Sequence, residues 1–454
     1  MKKKILAVVL CLIVLTSAIV PAYAVSPDFD VPAKFIYLVN TDTDTVVYEK
    51  NAEERAIPAS LTKIMTAIIA LQKTQNLDAM DIKAPGYIYN EFYGIGVSNA
   101  EIARGEVFTM RELLYALMLN SACEAASIIA DYVGGGSIPS FVEMMNEKAK
   151  EIGALNTNFV NAHGLYNENQ YTTAHDMYLI TKYALEQPGF LEIANTKNYT
   201  IEGNELRTTK NLVHTNRMLF STSNYYMPEI KGIKTGTLEE AGRNLITIAD
   251  SEGYHYLCVV MGGEYSDSAS HYKATQALYE WAFDTFRVKT LLESKRSIAE
   301  VPVKLSSETD HVLLTSSRNV TALVPVNIES SSVVLQTELP EYVKAPVQKG
   351  DILGKGRVLL LGEEIAQVDL IAMEDIKRSA FLHFTDTLHT VTSRWQFFIG
   401  AIVFVALLLL YIVLSVAYNN YKRRQRKASP YSSGYSNYES YSSSSRKTVH
   451  RRKL

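Results

Sequence analysis

Hydrophobic and polar positions change period along the chain. Lys34 to Val39 and Thr45 to Glu49 are β-branched and aromatic runs on either side of an Asn/Asp/Thr turn, which predicts an opening hairpin. After Pro58 the apolar positions Leu61, Ile64, Met65, Ile68 and Leu71 recur at helical spacing, so Ser60 falls at or near the first turn of a helix. The same period predicts helices over Arg111 to Leu119, Glu124 to Val133, Phe141 to Ile152 and Ala174 to Leu185, with Asn120-Ser121-Ala122-Cys123 between the first two. Strand texture returns in Ile230 to Thr237, Asn244 to Ala249 and His255 to Met261. The last two are joined by a Ser251-Glu252-Gly253 turn, and a closing helix follows over Ala274 to Phe286. First and last elements then share one antiparallel sheet with a helical subdomain inserted between them, an α+β arrangement.

Beyond this unit, short β-branched runs spaced by Gly, Pro and Asp predict a small all-β domain within about 295–380. Residues 377–395 resume a helical pattern. From Phe397 to Ala417 there is no charge, Trp395 and Tyr418 flank the stretch, and a transmembrane helix is expected over 397–418. Lys422-Arg423-Arg424-Gln425-Arg426-Lys427 follows at once, which by the positive-inside rule sets the C-terminus in the cytoplasm and everything before the helix outside. The opening Met1-Lys2-Lys3-Lys4, the apolar run from Ile5 to Val20 and Ala22-Tyr23-Ala24 have the three parts of a signal peptide over 1–24, and leave 25–290 for the α+β domain. Residues 419–454 are basic and Ser/Tyr-rich, a composition too poor in aliphatics to form a core.

Composition narrows the function. The 454 residues are 47% hydrophobic with a formal net charge of −3, which gives no sign of a nucleic-acid footprint, and the one strongly basic stretch of the mature chain is confined to the far C-terminus. Three cysteines make no disulfide framework: Cys11 leaves with the signal, Cys258 lies in a buried-strand pattern, and Cys123 remains. His163 and His175 stand at no metal-ligand spacing, and no cofactor motif is found; Gly134-Gly135-Gly136 lacks the Lys-Ser/Thr of a phosphate loop and reads as a helix C-terminal turn.

Ser60-Leu61-Thr62-Lys63 places a hydroxyl and an amine at i and i+3, on one face of a helix. A serine nucleophile needs a base, and lysine serves once desolvation or neighbouring cations bring its pKa down from about 10.4. Ser-x-x-Lys alone is expected about twice by chance in a chain this long. Ser270-x-x-Lys273 and Ser444-x-x-Lys447 are read as chance copies, the second in the tail. Lys234-Thr235-Gly236 is rarer and occurs once. The order Ser60-x-x-Lys63, Ser121-Ala122-Cys123, Lys234-Thr235-Gly236 is that of penicillin-recognising serine enzymes.

With those motifs and the flanks Pro58 to Thr66, Phe159-Val160-Asn161-Ala162-His163-Gly164-Leu165, Thr173 to Met177 and Lys234 to Gly242, residues 30–290 resemble the low-molecular-mass penicillin-binding proteins with D-alanyl-D-alanine carboxypeptidase activity. The resemblance implies a β-lactamase/transpeptidase-like fold and a peptidoglycan stem peptide ending in D-Ala-D-Ala as substrate, with β-lactams as inhibitors. It further implies Ser60 as acylated nucleophile, Lys63 as general base and Ser121 as proton relay. Cys123, Lys234, Thr235, Gly236 and Thr237 would bind substrate, with the backbone N–H groups of Ser60 and Thr237 forming an oxyanion hole. Two positions depart from the family pattern: Cys123 stands where Asn is usual, and Thr237-Leu238 where a variable residue and Thr are common. Two further readings are a penicillin-binding sensor that acylates but hardly turns over, signalling through its cytoplasmic tail, and a β-lactamase.

Overall fold

The computed structural model describes residues 26–328 and 332–427; the expected signal peptide and most of the expected cytoplasmic tail lie outside the described residues. Strands β1 (Phe35–Asn40), β2 (Thr45–Lys50), β3 (Ile230–Leu238), β4 (Gly242–Ser251) and β5 (Tyr254–Gly263) form one sheet in the order β2-β1-β5-β4-β3, antiparallel throughout. The N-terminal hairpin therefore inserts beside the last strand, closing the unit as its sequence pattern predicts. Along β5, Leu257, Val259 and Met261 enter one core while Tyr256, Cys258 and Val260 enter another. Period-two alternation is hidden because both faces are apolar, the mark of a sheet covered on both sides.

Helices α1 (Lys63–Lys73), α2 (Met110–Met118), α3 (Cys123–Val133), α4 (Ile138–Ile152), α5 (Ala174–Leu185) and α6 (Phe190–Asn195) pack on the first face, and α7 (Ser270–Thr285) covers the second. Their starts follow local chemistry. Thr109 and Glu112 form a reciprocal capping box on α2, Ser137 caps α4, and Thr173 accepts from Asp176 N–H on α5. The left-handed Gly153 (φ 94°) ends α4. The stripe of α1 is wider than its sequence pattern suggests, since every residue from Lys63 to Ala70 is buried. The helix runs through the middle of the core, where truncation of a residue such as Ile64 or Ile68 costs about 2–5 kcal/mol.

The expected closing helix begins earlier and ends one residue sooner, because Phe286 opens a strand, Phe286–Leu292, that pairs antiparallel with Val320–Pro325. Three elements had no clear period: a 3-10 turn over Gly86–Phe92, the short helix α6, and a hairpin of Asn198–Ile201 with Lys210–Val213. The hairpin is held by tertiary contacts rather than by its own pattern: Arg207 forks onto both Glu112 oxygens and Lys210 meets Glu106, all four buried or nearly so.

The chain divides into two units, one holding 26–300 together with 313–340 and 349–373, the other 301–312, 341–348 and 374–427. In the first, Val333–Glu338, Ile352–Leu360 and Glu363–Ala372 form an antiparallel meander, and Glu363–Ala372 also pairs with residues 314–316. In the second, Val303 and Lys304 pair in parallel with Val343 and Lys344, and helices α8 (Ala380–Thr392) and α9 (Trp395–Lys427) follow. Residues 395–425 of α9 are long and apolar enough to cross a membrane: their most apolar 18-residue window has a mean hydropathy of 3.1, and none of that window is buried within the protein.

Candidate active site

Ser60 sits in a 3-10 turn, Ala59–Thr62, immediately before α1. Three contacts press this turn onto the sheet. Asn244 on β4 donates its amide to the carbonyls of Ile57 (3.0 Å) and Pro58 (3.1 Å) and accepts from Gly262 N–H, so one buried side chain locks turn and strand together. Gly236 on β3 approaches so closely that a Cβ there would lie 3.2 Å from Ser60 N. Gly164, left-handed at φ +86°, approaches from the opposite side, and a Cβ on it would lie 2.0 Å from the Ala59 carbonyl oxygen. At Gly164 only glycine fits without displacing Ala59, whereas a Cβ at Gly236 would require the turn around Ser60 to give by a few tenths of an ångström.

Lys63 follows one turn later and is fully buried. Its Nζ lies 3.0 Å from Ser60 Oγ, 3.6 Å from Cys123 Sγ and 2.5 Å from the carbonyl oxygen of His163. Burial pushes its pKa down, while Cys123 and the carboxylate of Glu124 pull the other way. The amine is thus shifted toward the neutral form a general base needs, and the expected cause, desolvation, is the dominant one.

The second motif falls in the link between α2 and α3, as its pattern predicts, except that Cys123 is already the first residue of α3, with Ala122 as its N-cap; Ser121 stands at φ 58° just before the helix, 4% exposed. Cys123 N–H donates to Ser98 O (2.9 Å) and Ala122 N–H to Ala116 O, which fixes the turn. Thr215 N–H donates to Leu119 O and Val213 N–H to Asn120 Oδ1, and the Thr215 hydroxyl lies 2.6 Å from that of Thr235. The second and third motifs are therefore joined through Thr215.

Register decides the third motif. Between Lys231 and Lys234, β3 carries one residue more than β4, a bulge that shifts Lys234, Thr235, Gly236 and Thr237 opposite Ile246, Leu245, Asn244 and Arg243. Because side chains alternate, that single residue exchanges the faces of the whole motif. Asn216, fully buried, donates to Gly232 O (2.7 Å), and Gly232 N–H donates to Asn195 Oδ1, so the bulge is held from both sides. Lys234 is fully buried and donates to Thr235 O (3.0 Å); burial and then the charge of Lys63 drive its pKa well down. Beside Thr235 a groove of about 750 Å³ is lined by His214, Thr215, Arg217, Phe220, Ser223 and Tyr225.

The remaining sequence candidates fall elsewhere. Ser270 Oγ donates to Glu264 O and Lys273 pairs with Asp267 on the surface, so this Ser-x-x-Lys copy is structural. His175 meets Glu53 at 2.8 Å. His163 contributes through its carbonyl, a role no side-chain motif announces. Asn244, Thr215 and Arg217 lie outside every motif, while Gly164 lies within the flank Phe159–Leu165. Among the described residues no three metal-ligating side chains converge.

The sequence pattern of the D-alanyl-D-alanine carboxypeptidase family matches residues 22–265, and that of the penicillin-binding protein 5 C-terminal domain matches 286–378. This chain belongs to the D-alanyl-D-alanine carboxypeptidase family. It is 30% identical to the D-alanyl-D-alanine carboxypeptidase DacF of Bacillus subtilis over 355 residues, covering 78% of this chain and 88% of the relative. It is 28% identical to DacC of Escherichia coli over 361 residues, covering 77% and 86%. Among solved structures, penicillin binding protein 5 from Haemophilus influenzae superposes with a TM-score of 0.61 at 25% identity, covering 78% of this chain and all of that one. The Streptomyces K15 DD-transpeptidase gives 0.52 at 29% identity over 56% of this chain and 98% of that one.

Proposed function

We propose that this protein is a serine D-alanyl-D-alanine carboxypeptidase that removes the terminal D-alanine from peptidoglycan stem peptides and is acylated by β-lactams at Ser60. The observation that carries the reading is the buried Lys63 amine 3.0 Å from Ser60 Oγ, alongside the strand that bears Lys234-Thr235-Gly236. Neutral Lys63 takes the Ser60 proton as Oγ attacks the penultimate D-alanine carbonyl. The oxyanion is met by the N–H groups of Ser60 and Thr237, and Ser121 relays a proton to the departing D-alanine amine. Water activated by Lys63 then hydrolyses the ester. The substrate's terminal carboxylate is bound by the Thr235 and Thr215 hydroxyls with Arg217 in the adjoining groove, and its arrival restores the proton on Lys234.

The described part of α9 supports a single-pass anchor. Its apolar stretch ends in Lys422, Arg423 and Arg424, which favours a cytoplasmic C-terminus and an extracytoplasmic site. Just before it, α8 leaves Phe381, Phe384, Leu388 and Val391 exposed at helical spacing, a face suited to the outer surface of the same bilayer. On this reading 1–24 is the signal peptide, 25–290 the peptidase domain and 295–380 the β domain.

The test is full-length protein in detergent or nanodiscs, treated with a fluorescent penicillin and with a peptide ending in D-Ala-D-Ala, wild type against Ser60→Ala. Covalent label and free D-alanine, both lost in the variant, are expected. Label without D-alanine release would replace the carboxypeptidase with the sensor reading, and no label would overturn the nucleophile.

A further inference from the structure

The base of the site is held by a residue from outside the three motifs. Lys63 Nζ donates to the carbonyl of His163, and the His163 ring is itself clamped. Its Nδ1 accepts from Leu165 N–H (3.1 Å), which leaves the proton of the neutral ring on Nε2, and Nε2 faces Glu91 Oε2 at 3.4 Å. Burial lowers the His163 pKa, against the pull of Glu91, so the neutral ring is the favoured form. The other oxygen of Glu91 accepts from Ser127 Oγ on α3 at 2.6 Å, and Phe92 packs edge-on against the imidazole. Burial works to raise the Glu91 pKa, but the His163 and Ser127 hydrogen bonds outweigh it and hold the carboxyl ionised.

We propose that Glu91 is a positioning residue for the acylation step, fixing the orientation of Lys63 through the His163 ring and carbonyl. The inference rests on the reading of Lys63 as general base. Glu91 belongs to the 3-10 turn Gly86–Phe92, and seven residues later Ser98 O accepts the N–H of Cys123. The 91–98 segment is thus pinned at one end to the carbonyl that orients the base and at the other to the turn of the second motif. Between the pins Tyr93 and Ile95 are exposed and two glycines intervene, so the pins rather than internal packing set its shape. An amine 3.0 Å from its hydroxyl has little tolerance, and displacement by about 1 Å costs on the order of 100-fold in rate.

The experiment compares wild type, Glu91→Gln, Glu91→Ala and Ser127→Ala as full-length proteins, measuring the second-order acylation rate by fluorescent penicillin and kcat and KM for a D-Ala-D-Ala peptide. Glu91 is partly exposed, so folding is expected to survive, and Tm is recorded alongside. Glu91→Ala is expected to lower acylation and kcat about 10- to 100-fold with KM within about threefold. Glu91→Gln can still accept from His163 Nε2–H and donate to Ser127, so it is expected to stay within about threefold of wild type, with Ser127→Ala between the two. Full activity in Glu91→Ala would overturn the proposal. So would an equal loss in Glu91→Gln, because a hydrogen-bonding role predicts rescue. An inactive wild type would instead remove the carboxypeptidase reading itself.

Discussion

Gly164→Ala tests whether Ser60, the proposed nucleophile, is positioned by close backbone approach. At φ +86° an alanine carries about 1–2 kcal/mol of left-handed strain, and its Cβ would lie 2.0 Å from the Ala59 carbonyl oxygen, where contacts under 3.0 Å essentially never occur. The two backbones must therefore part by about 1 Å. Neither way of parting spares the site. Moving Ala59 drags Ser60, whereas moving residue 164 drags the His163 carbonyl that accepts from Lys63. Overpacking against backbone adds about 1–3 kcal/mol to the strain, so a loss of about 2–5 kcal/mol is expected, lowering Tm by about 5–15 °C. The same ~1 Å displacement predicts a fall of on the order of 100-fold in the acylation rate. Gly153→Ala is the control: it is also left-handed, at φ +94°, but nothing lies within 4 Å of its Cβ, so only the strain of about 1–2 kcal/mol is expected, with normal acylation. Stopped-flow acylation and thermal unfolding of both variants decide the matter. An acylation rate for Gly164→Ala within threefold of wild type, with a Tm no lower than that of Gly153→Ala, would refute the reasoning.

Three further outcomes follow from the same geometry. Glu124→Gln removes a carboxylate whose field raises the Lys63 pKa while keeping an acceptor for Ala100 N–H; the ionisable side chains left around Lys63 are Lys234, Cys123 and His163. With that field gone the amine loses its proton at lower pH, so the acid limb of the kcat/KM profile should move down; a limb that stays or moves up would contradict it. Cys123→Ala deletes only a 3.6 Å contact to a weak sulfur acceptor, about 0.5–1.5 kcal/mol at most, so acylation should fall by no more than about 10-fold, far less than the complete loss in Ser60→Ala. Arg207→Ala leaves the nearly buried Glu112 carboxylate without its cation, held by Thr109 N–H, and chemical denaturation should register a loss of about 3 kcal/mol; a change under 1 kcal/mol would mean the hairpin at 198–213 does not depend on the pair.

What the sequence determined by itself is local or ordinal. Helical period placed α1 and α5, a run without charge marked α9, and the order of three short motifs named the chemistry, because each signal lies within a few residues or in the order of such segments. Ser60 and Lys63 were legible as a pair since one helical turn brings i and i+3 together. Only the tertiary structure decided how the motifs meet. Lys63 draws its partners from residues 60, 123 and 163, and no period links positions so far apart. The face on which Lys234 lies depends on one bulged residue held by Asn216 and Asn195, neither of them in a motif. The burial of α1 on all sides from Lys63 to Ala70, which depresses the Lys63 pKa, likewise comes from packing; a stripe of apolar residues can report one buried face but not that the remaining faces are covered too.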